Sequence, residues 1–348
     1  MLGRRVGAAA VEGVAVKLGV MAAILTTLMA APVWAAGQLI VVVGAAGEAD
    51  YGRQFAEWAD RWAAAGDRAM KVEQIGRDDA NGADDPTTRP VAATSPTKSP
   101  ATRPASDKDA LQAALRTAAA STDGPVWLVL IGHGTADERG AKFNLRGPDL
   151  SDAELAEWLR PVKRPIAVID CSSASGPFLR RLSAPGRVVI VATRGGGEYQ
   201  FARFGDAISG AVIDPAADLD KDGRTSLLEA FLIATHRVNA FYTSAGRLVT
   251  EHAMLDDTGD GTGVSADAYR GVRLVKPPAK GNADGVVANQ WFLHPVGPSE
   301  TLSPDADDRR AKLESEVDSL RGRKAALPVD EYYERLERLM IELAKLHA

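Results

Sequence analysis

"RPIAVIDCSSASGPFLRRL", residues 164–182, is where the fold and the functional reading both begin. Ile166 to Ile169 are aliphatic without alternation, the pattern of a strand covered by helices on both faces. From Ser172 to Gly176 the side chains become small, and Pro177 to Leu182 resume as a short helical segment. Between the two halves stands Cys171, the only cysteine of the chain. In parallel α/β sheets chemistry gathers beyond the carboxyl ends of the strands. A lone thiol at that point is a candidate nucleophile; its bland alternative is a small core hydrophobe.

Working outward, the same strand type recurs at "QLIVVVGAAG" (38–47), "PVWLVLIGHG" (125–134) and "RVVIVAT" (187–193), with "MKVEQI" (70–75) as a further strand. Helical patterns lie between them. "YGRQFAEWADRWAAAG" carries Phe55, Trp58 and Trp62 on one face, and "DALQAALRTAAA" and "EYQFARFGDAISGAV" read as helices. "SDAELAEWLR" opens with a Ser151–Glu154 capping box. Strands alternating with helices predict a three-layer α/β sandwich around a parallel-rich sheet. Residues 77–107, rich in Pro, Thr, Ser and Ala, read as a disordered surface insertion. After residue 300 two apolar stripes, Leu313/Val317/Leu320 and Leu336/Leu339/Leu343/Leu346, are separated at Pro328. They predict a C-terminal helical hairpin over 301–348, or a coiled coil through which copies self-associate.

Residues 1–36 read as an export signal. Arg4, Arg5 and Lys17 precede or flank the apolar "LGVMAAILTTLMAAPVW", and Val33 and Ala35 are small residues suited to cleavage. A retained N-terminal membrane anchor is the alternative. The expected location is therefore periplasmic, secreted or extracellular. The chain has 46 acidic and 41 basic residues, interleaved, which argues against a nucleic-acid surface. One cysteine excludes an intramolecular disulfide.

Two of the strands end in reactive residues. His133 lies just past "LVLI", and Cys171 just past "IAVID". If those strands adjoin, imidazole and thiol project from one edge, and the histidine can take the thiol proton. Gly134, without a side chain, can offer its N–H with that of Cys171 to a tetrahedral oxyanion. A serine-hydrolase reading lacks its G-x-S-x-G elbow.

A strand ending in His-Gly, a helix, then a strand ending in Asp-Cys before small residues resembles the caspase-like cysteine peptidases, most of all the legumain family. "VVVGAAGEADYGRQFAEWADRW" (41–62) is similar to the legumain opening. The resemblance implies a caspase-like peptidase domain over 37–300, acting on peptide or protein substrates. It assigns His133 as general base, Gly134 as an oxyanion donor and Cys171 as nucleophile, with no cofactor needed. The chain departs from the legumains at Ile169, where they carry Glu, and near Asp50, Gly52 and Arg53, where no clean match to their Arg and Asn exists. Asp170 and Arg53 remain as substrate-pocket candidates, and cleavage after asparagine is not implied. The alternative reading is a caspase-fold binding or scaffold protein whose catalysis has lapsed.

"DLDKDGRTSLLE" (218–229) places Asp218, Asp220 and Asp222 at loop positions one, three and five, Gly223 at six and Glu229 at twelve. That is calcium-loop spacing, with the Arg224 carbonyl and Ser226 filling the remaining positions. The bland alternative is an acidic turn entering a helix through a Ser226–Glu229 capping box. "LDDTGDGTGVSAD" (255–267) matches that spacing less well and reads as a glycine-rich loop. His236 reads as a packed helix residue, and His252 as a bystander or an alternative base.

Overall fold

The computed structural model describes residues 37–66, 70–77, 106–276, 281, 283–293 and 304–346. The export signal and nearly all of the 77–107 insertion lie outside the described residues. In chain order the first elements are β1 (Gly37–Val43), α1 (Ala49–Gly66), β2 (Met70–Ile75), α2 (Asp107–Ala120) and β3 (Val126–Ile131). Three short strands follow: β4 (Gly134–Asp137), β5 (Gly140–Phe143) and β6 (Leu150–Ser151). Then come α3 (Asp152–Leu159), β7 (Ile166–Asp170), α4 (Gly176–Leu182), β8 (Arg187–Val191), α5 (Phe204–Ala211), α6 (Leu227–Ser244) and β9 (Met254–Asp256).

The aliphatic runs assemble as one six-stranded sheet in the order β2-β1-β3-β7-β8-β9. Every pairing is parallel except β8 with β9. Alternate residues of each strand feed two apolar layers. Leu39, Val41, Trp127, Val129 and Ile169 pack with Phe55, Trp58 and Trp62 of α1 and with Phe204 and Phe231 of α5 and α6. Ile40, Val42, Leu128, Leu130 and Val168 pack with Leu111, Leu155 and Phe178 of α2, α3 and α4. Sealing both faces explains the unbroken aliphatic runs of β1, β3 and β7, which are buried throughout, while the edge strand β2 keeps Lys71 exposed. The α/β sandwich expected from the strand and helix alternation is present.

Two local features were set by short-range spacing. Ser151 accepts from the Glu154 N–H while the Glu154 carboxylate accepts from the Ser151 N–H, closing the capping box of α3. The same reciprocal pair joins Ser226 and Glu229 at α6. Elsewhere the reading needs correction. Residues 198–203, expected to be helical, form a loop, and α5 starts only at Phe204. The small antiparallel sheet β4-β5-β6 directly after His133 was also not anticipated.

The C-terminal hairpin is α7 (Pro304–Gly322) and α8 (Val329–Lys345), with Pro328 as the cap residue before α8. Val317 and Leu320 of the first stripe are buried. Arg310 of α7, also buried, reaches back to Asp222, bonding its carboxylate and, at 3.2 Å, its carbonyl oxygen.

Candidate active site

Strands β3 and β7 are neighbours, with Leu130 opposite Asp170. Cys171 follows β7 by one residue and donates its N–H to the Leu130 carbonyl at 2.9 Å. Its side chain lies in the same apolar layer as Phe55 and Trp58 of α1. The His133 ring enters that layer too, 4.9 Å from Tyr51 and 5.2 Å from Phe55, centroid to centroid. Thiol and imidazole thus emerge from adjacent strands on one face of the sheet, the side of α1.

The immediate chemistry of that face corrects several expectations. Cys171 has 0 % exposure. Helix α5 runs against it so closely that a Cβ at Gly205 would fall 3.1 Å from the Cys171 Cβ and 2.6 Å from the Trp58 ring. Burial pushes the thiol well above its ordinary range, and the nearby Asp170 and Glu251 charges push the same way. No hydrogen bond joins the sulfur to His133 among the described residues. Instead His133 Nε2 lies 3.2 Å from the Ala46 carbonyl oxygen, which can only accept, so this nitrogen is the donor of that bond.

Both expected oxyanion donors are already engaged. The Cys171 N–H is committed to Leu130, and the Gly134 N–H donates to Ser173 Oγ at 3.2 Å. The pocket candidates separate from the thiol as well. Asp170 shares the face of its register partner Leu130, in the layer of α2, α3 and α4, opposite Cys171. It is fully buried, and Oδ1 accepts from the Ser172 N–H at 2.9 Å and Oγ at 2.6 Å, while Oδ2 has no partner. Desolvation pushes its carboxyl up to about 7. Arg53 is exposed on α1 and paired with Asp50, one turn away.

What covers the thiol face is the loop from Arg194 to Arg203. Phe201 stacks on Tyr51 at 4.7 Å and sits 6.0 Å from the His133 ring and 6.0 Å from Trp58. The loop is tied at two points by the dipeptide Glu251-His252. Glu198 accepts from the Arg194 and His252 N–H groups, at 2.9 and 3.0 Å, and lies 2.7 Å from His252 Nδ1. Glu251, buried, accepts from the N–H groups of Arg203 (2.9 Å) and Phe204 (3.0 Å) and from the Tyr242 hydroxyl (3.1 Å). A carboxylate brought from another segment therefore starts α5, which is why residues 198–203 do not continue it. Reading the sequence alone missed Tyr51, Phe201, Glu198 and Glu251; the run Gly195–Gly197 was the one local sign of a loop. His252 proves to be a tether of that loop.

The acidic loop 218–229 gathers carboxylate oxygens of Asp218, Asp220 and Asp222 within 4.8 Å of one another. Lys221 (φ 64°) and Gly223 (φ 85°) turn the backbone inward there. Asp218 accepts from the Asp222 and Gly223 N–H groups at 3.1 and 3.0 Å. Burial, then the charges of Glu229 and Asp222, pushes Asp220 up to about 7. Glu229 accepts from Leu219 (2.7 Å), Asp220 (3.1 Å) and Ser226 (2.8 Å) N–H groups, so both its oxygens serve backbone donors. Ser226 Oγ is 3.0 Å from Asn289 Oδ1 and caps α6. The Arg224 guanidinium lies 4.0 Å over the Phe292 ring and 3.6 Å from Asp222. The three aspartates supply the oxygen donors a hard cation takes; Ser226 and Glu229 stand in the capping box.

The second acidic segment is the glycine-rich loop expected. It winds around Asp256, which accepts from the N–H groups of Thr258 (3.1 Å), Gly259 (2.8 Å) and Gly261 (2.7 Å). Asp257 and Asp284 bracket it from beneath, each accepting backbone N–H groups of the other's segment.

No protein-family model matches the chain, and no curated protein matches it. Among solved structures it is similar to the Drosophila initiator caspase Dronc, at 12 % identity, over 77 % of this chain and 96 % of that one, with a TM-score of 0.40. That is a likeness of outline, and the architecture above rests on the strand pairings themselves.

Proposed function

We propose that the chain is a caspase-like cysteine peptidase whose thiol centre is closed in the conformation described. The observation that carries this reading is the emergence of Cys171 and His133 from adjacent parallel strands onto one face of the sheet. In the open form, His133 would take the Cys171 proton, and the thiolate would attack a peptide carbonyl. The C–N bond then breaks as the imidazolium returns that proton to the leaving amine, and water releases the acyl group from sulfur. Opening requires displacement of Phe201 and release of the Gly134 N–H by Ser173. The legumain-like assignment rests on the His-Gly and Cys motifs, and export on residues 1–36.

A second reading, a non-catalytic caspase-fold scaffold, is favoured by the fully buried sulfur and by the occupied N–H groups of Gly134 and Cys171. One experiment separates them. The mature protein and its Cys171→Ala variant are presented with a broad peptide library. Turnover by the wild type alone is the expected result; equal or equally absent turnover in both leaves the scaffold.

Calcium at Asp218, Asp220 and Asp222 is proposed as a structural ion, outside the catalytic steps. The clustered carboxylate oxygens support it. Self-association through the hairpin is likewise proposed, supported by the exposed Val329, Tyr333, Met340 and Ile341 of α8.

A further inference from the structure

On the face of the sheet opposite Cys171, a pocket of about 210 Å³ opens between the start of α4, the end of β8 and the turn after β9. Its floor is Leu179, Val191 and Met254, which pack in the layer of α2, α3 and α4. Its only ionisable lining side chains are Arg180 and Arg194. Both are exposed. Among the described residues neither guanidinium has an ion-pair or hydrogen-bond partner; the Arg194 bond to Glu198 runs through its backbone N–H. That sets them apart from Arg53, Arg61, Arg77, Arg146 and Arg237, each paired with an aspartate.

The rim adds backbone donors. The N–H groups of Gly195 and Gly196 have no acceptor among the described residues, although the Gly195 carbonyl accepts from Glu198 at 3.2 Å. A Cβ at Gly195 would meet nothing within 4 Å, so its Cα side stands open, whereas Gly196 packs on Ala136 and Gly176 packs on the Gly195 nitrogen. Two like charges and two free amides around an apolar floor make a defined complement. The donors call for an anion, and a planar guanidinium suits a carboxylate through paired N–H bonds. The floor calls for a compact aliphatic group on the same molecule.

We propose that this pocket binds a small aliphatic carboxylate, its acid group held by Arg180, Arg194 and the Gly195–Gly196 amides and its apolar group against Leu179, Val191 and Met254. The pocket lies across the sheet from the thiol but shares Arg194 to Gly196 with the loop that covers the thiol face, and binding there does not depend on peptidase activity.

The test is calorimetric titration of the mature protein with N-acetyl-leucine, with its neutral counterpart N-acetyl-leucinamide, and with inorganic phosphate. The acid should bind saturably, and more weakly as salt rises. The amide should bind at least about tenfold more weakly, since it lacks the charge-assisted bonds. An Arg180→Gln/Arg194→Gln variant, checked for an unchanged melting temperature, should lose about tenfold or more in affinity for the acid, while Cys171→Ala should bind it as the wild type does. Equal affinity for acid and amide, an unaffected arginine variant, or no saturable binding would overturn the proposal. Phosphate binding as tightly as the acid would overturn the aliphatic half of it.

Discussion

Around Cys171 the fold closes a centre by packing; around Asp218, Asp220 and Asp222 it holds one by charge. At the sheet rim the thiol is kept neutral by burial, and the N–H groups of Cys171 and Gly134 are matched to acceptors inside the protein. Tyr51, Phe55 and Phe201 pack around the half-buried imidazole. In the loop, three carboxylates crowd within 4.8 Å, Asp220 is pushed up to about 7, and counter-charge arrives from Arg310, 88 residues away. The two regions should therefore answer to different perturbations. Packing yields to the truncation of an aromatic ring, whereas crowded charge yields to pH, to a cation or to the loss of an arginine.

The largest effect tests whether the rim is as insensitive to pH as its packing suggests, because one titrating group lies just behind it. Asp170 is fully buried and held up to about 7 from an ordinary value of 3.8. A raised carboxyl binds its proton more tightly folded than unfolded. Its contribution is therefore complete below pH 4 and is lost as pH climbs to about 7, by on the order of 4 kcal/mol. Asp170→Asn keeps an acceptor for Ser172 and should remove that share of the decline in urea midpoint between pH 4 and 7. Asp220, Glu229, Glu251, Asp257 and Asp284, raised in the same direction, contribute to what remains. An identical decline in wild type and variant would mean that Asp170 is not desolvated and that the rim is wetter than drawn.

Next in size is Arg310→Ala. It leaves Asp222 with the more distant Arg224 and removes a buried cation from α7. Breaking one side of a buried pair costs about 3 kcal/mol. The loss should be read locally, as faster amide exchange throughout α7 and α8 with the central strands unchanged. Unchanged protection of the hairpin would show that the stripe of Val317 and Leu320 holds it without the charge.

These two cases also mark what was legible in the sequence. Continuous aliphatic runs announced β1, β3, β7 and β8, because a strand sealed on both faces has no polar position. Capping boxes at Ser151 and Ser226 were legible because three residues of spacing contain all their partners. The hairpin was legible from its apolar period and Pro328. Partnerships across the chain were not. The burial of Cys171 is imposed by Gly205, and the cover over its face by Phe201, some thirty residues later; the start of α5 is imposed by Glu251. The Asp222–Arg310 pair joins segments with no common pattern. Asp170 and Cys171, adjacent in the sequence, were grouped as one site, yet the pleat sends them to opposite faces of the sheet.

Smaller again is the expected response to calcium. An ion bound to the folded loop alone, at a concentration ten times its dissociation constant, stabilises by about 1.4 kcal/mol. Thermal unfolding at millimolar calcium should rise in the wild type and not in Asp220→Asn. The rise should be larger in Arg310→Ala, because there the added cation no longer competes with a guanidinium for Asp222. No rise in either protein would leave the loop as an acidic turn entering α6, with Arg310 and the more distant Arg224 as its counter-charge.

A free-energy change of the same size, with the least effect on global stability, falls at the rim, and it decides between a closed enzyme and a scaffold. Phe201 is half-buried against Tyr51 and lies over His133, on a loop that begins at Gly195–Gly197. Replacing it with alanine removes the ring contacts that hold the loop down, so the open form should gain about tenfold in population, roughly 1.4 kcal/mol. Alkylation of Cys171 under native conditions follows that population multiplied by the reactivity of the exposed thiol. It should therefore accelerate about tenfold in Phe201→Ala while the global melting temperature changes little. A thiol assisted by His133 should keep reacting below its ordinary ionisation range, and His133→Ala in the Phe201→Ala background should abolish that advantage. If native alkylation is the same with and without Phe201, and rises only on global unfolding, the sulfur is a core atom and Cys171 belongs to the packing of α5 against the sheet.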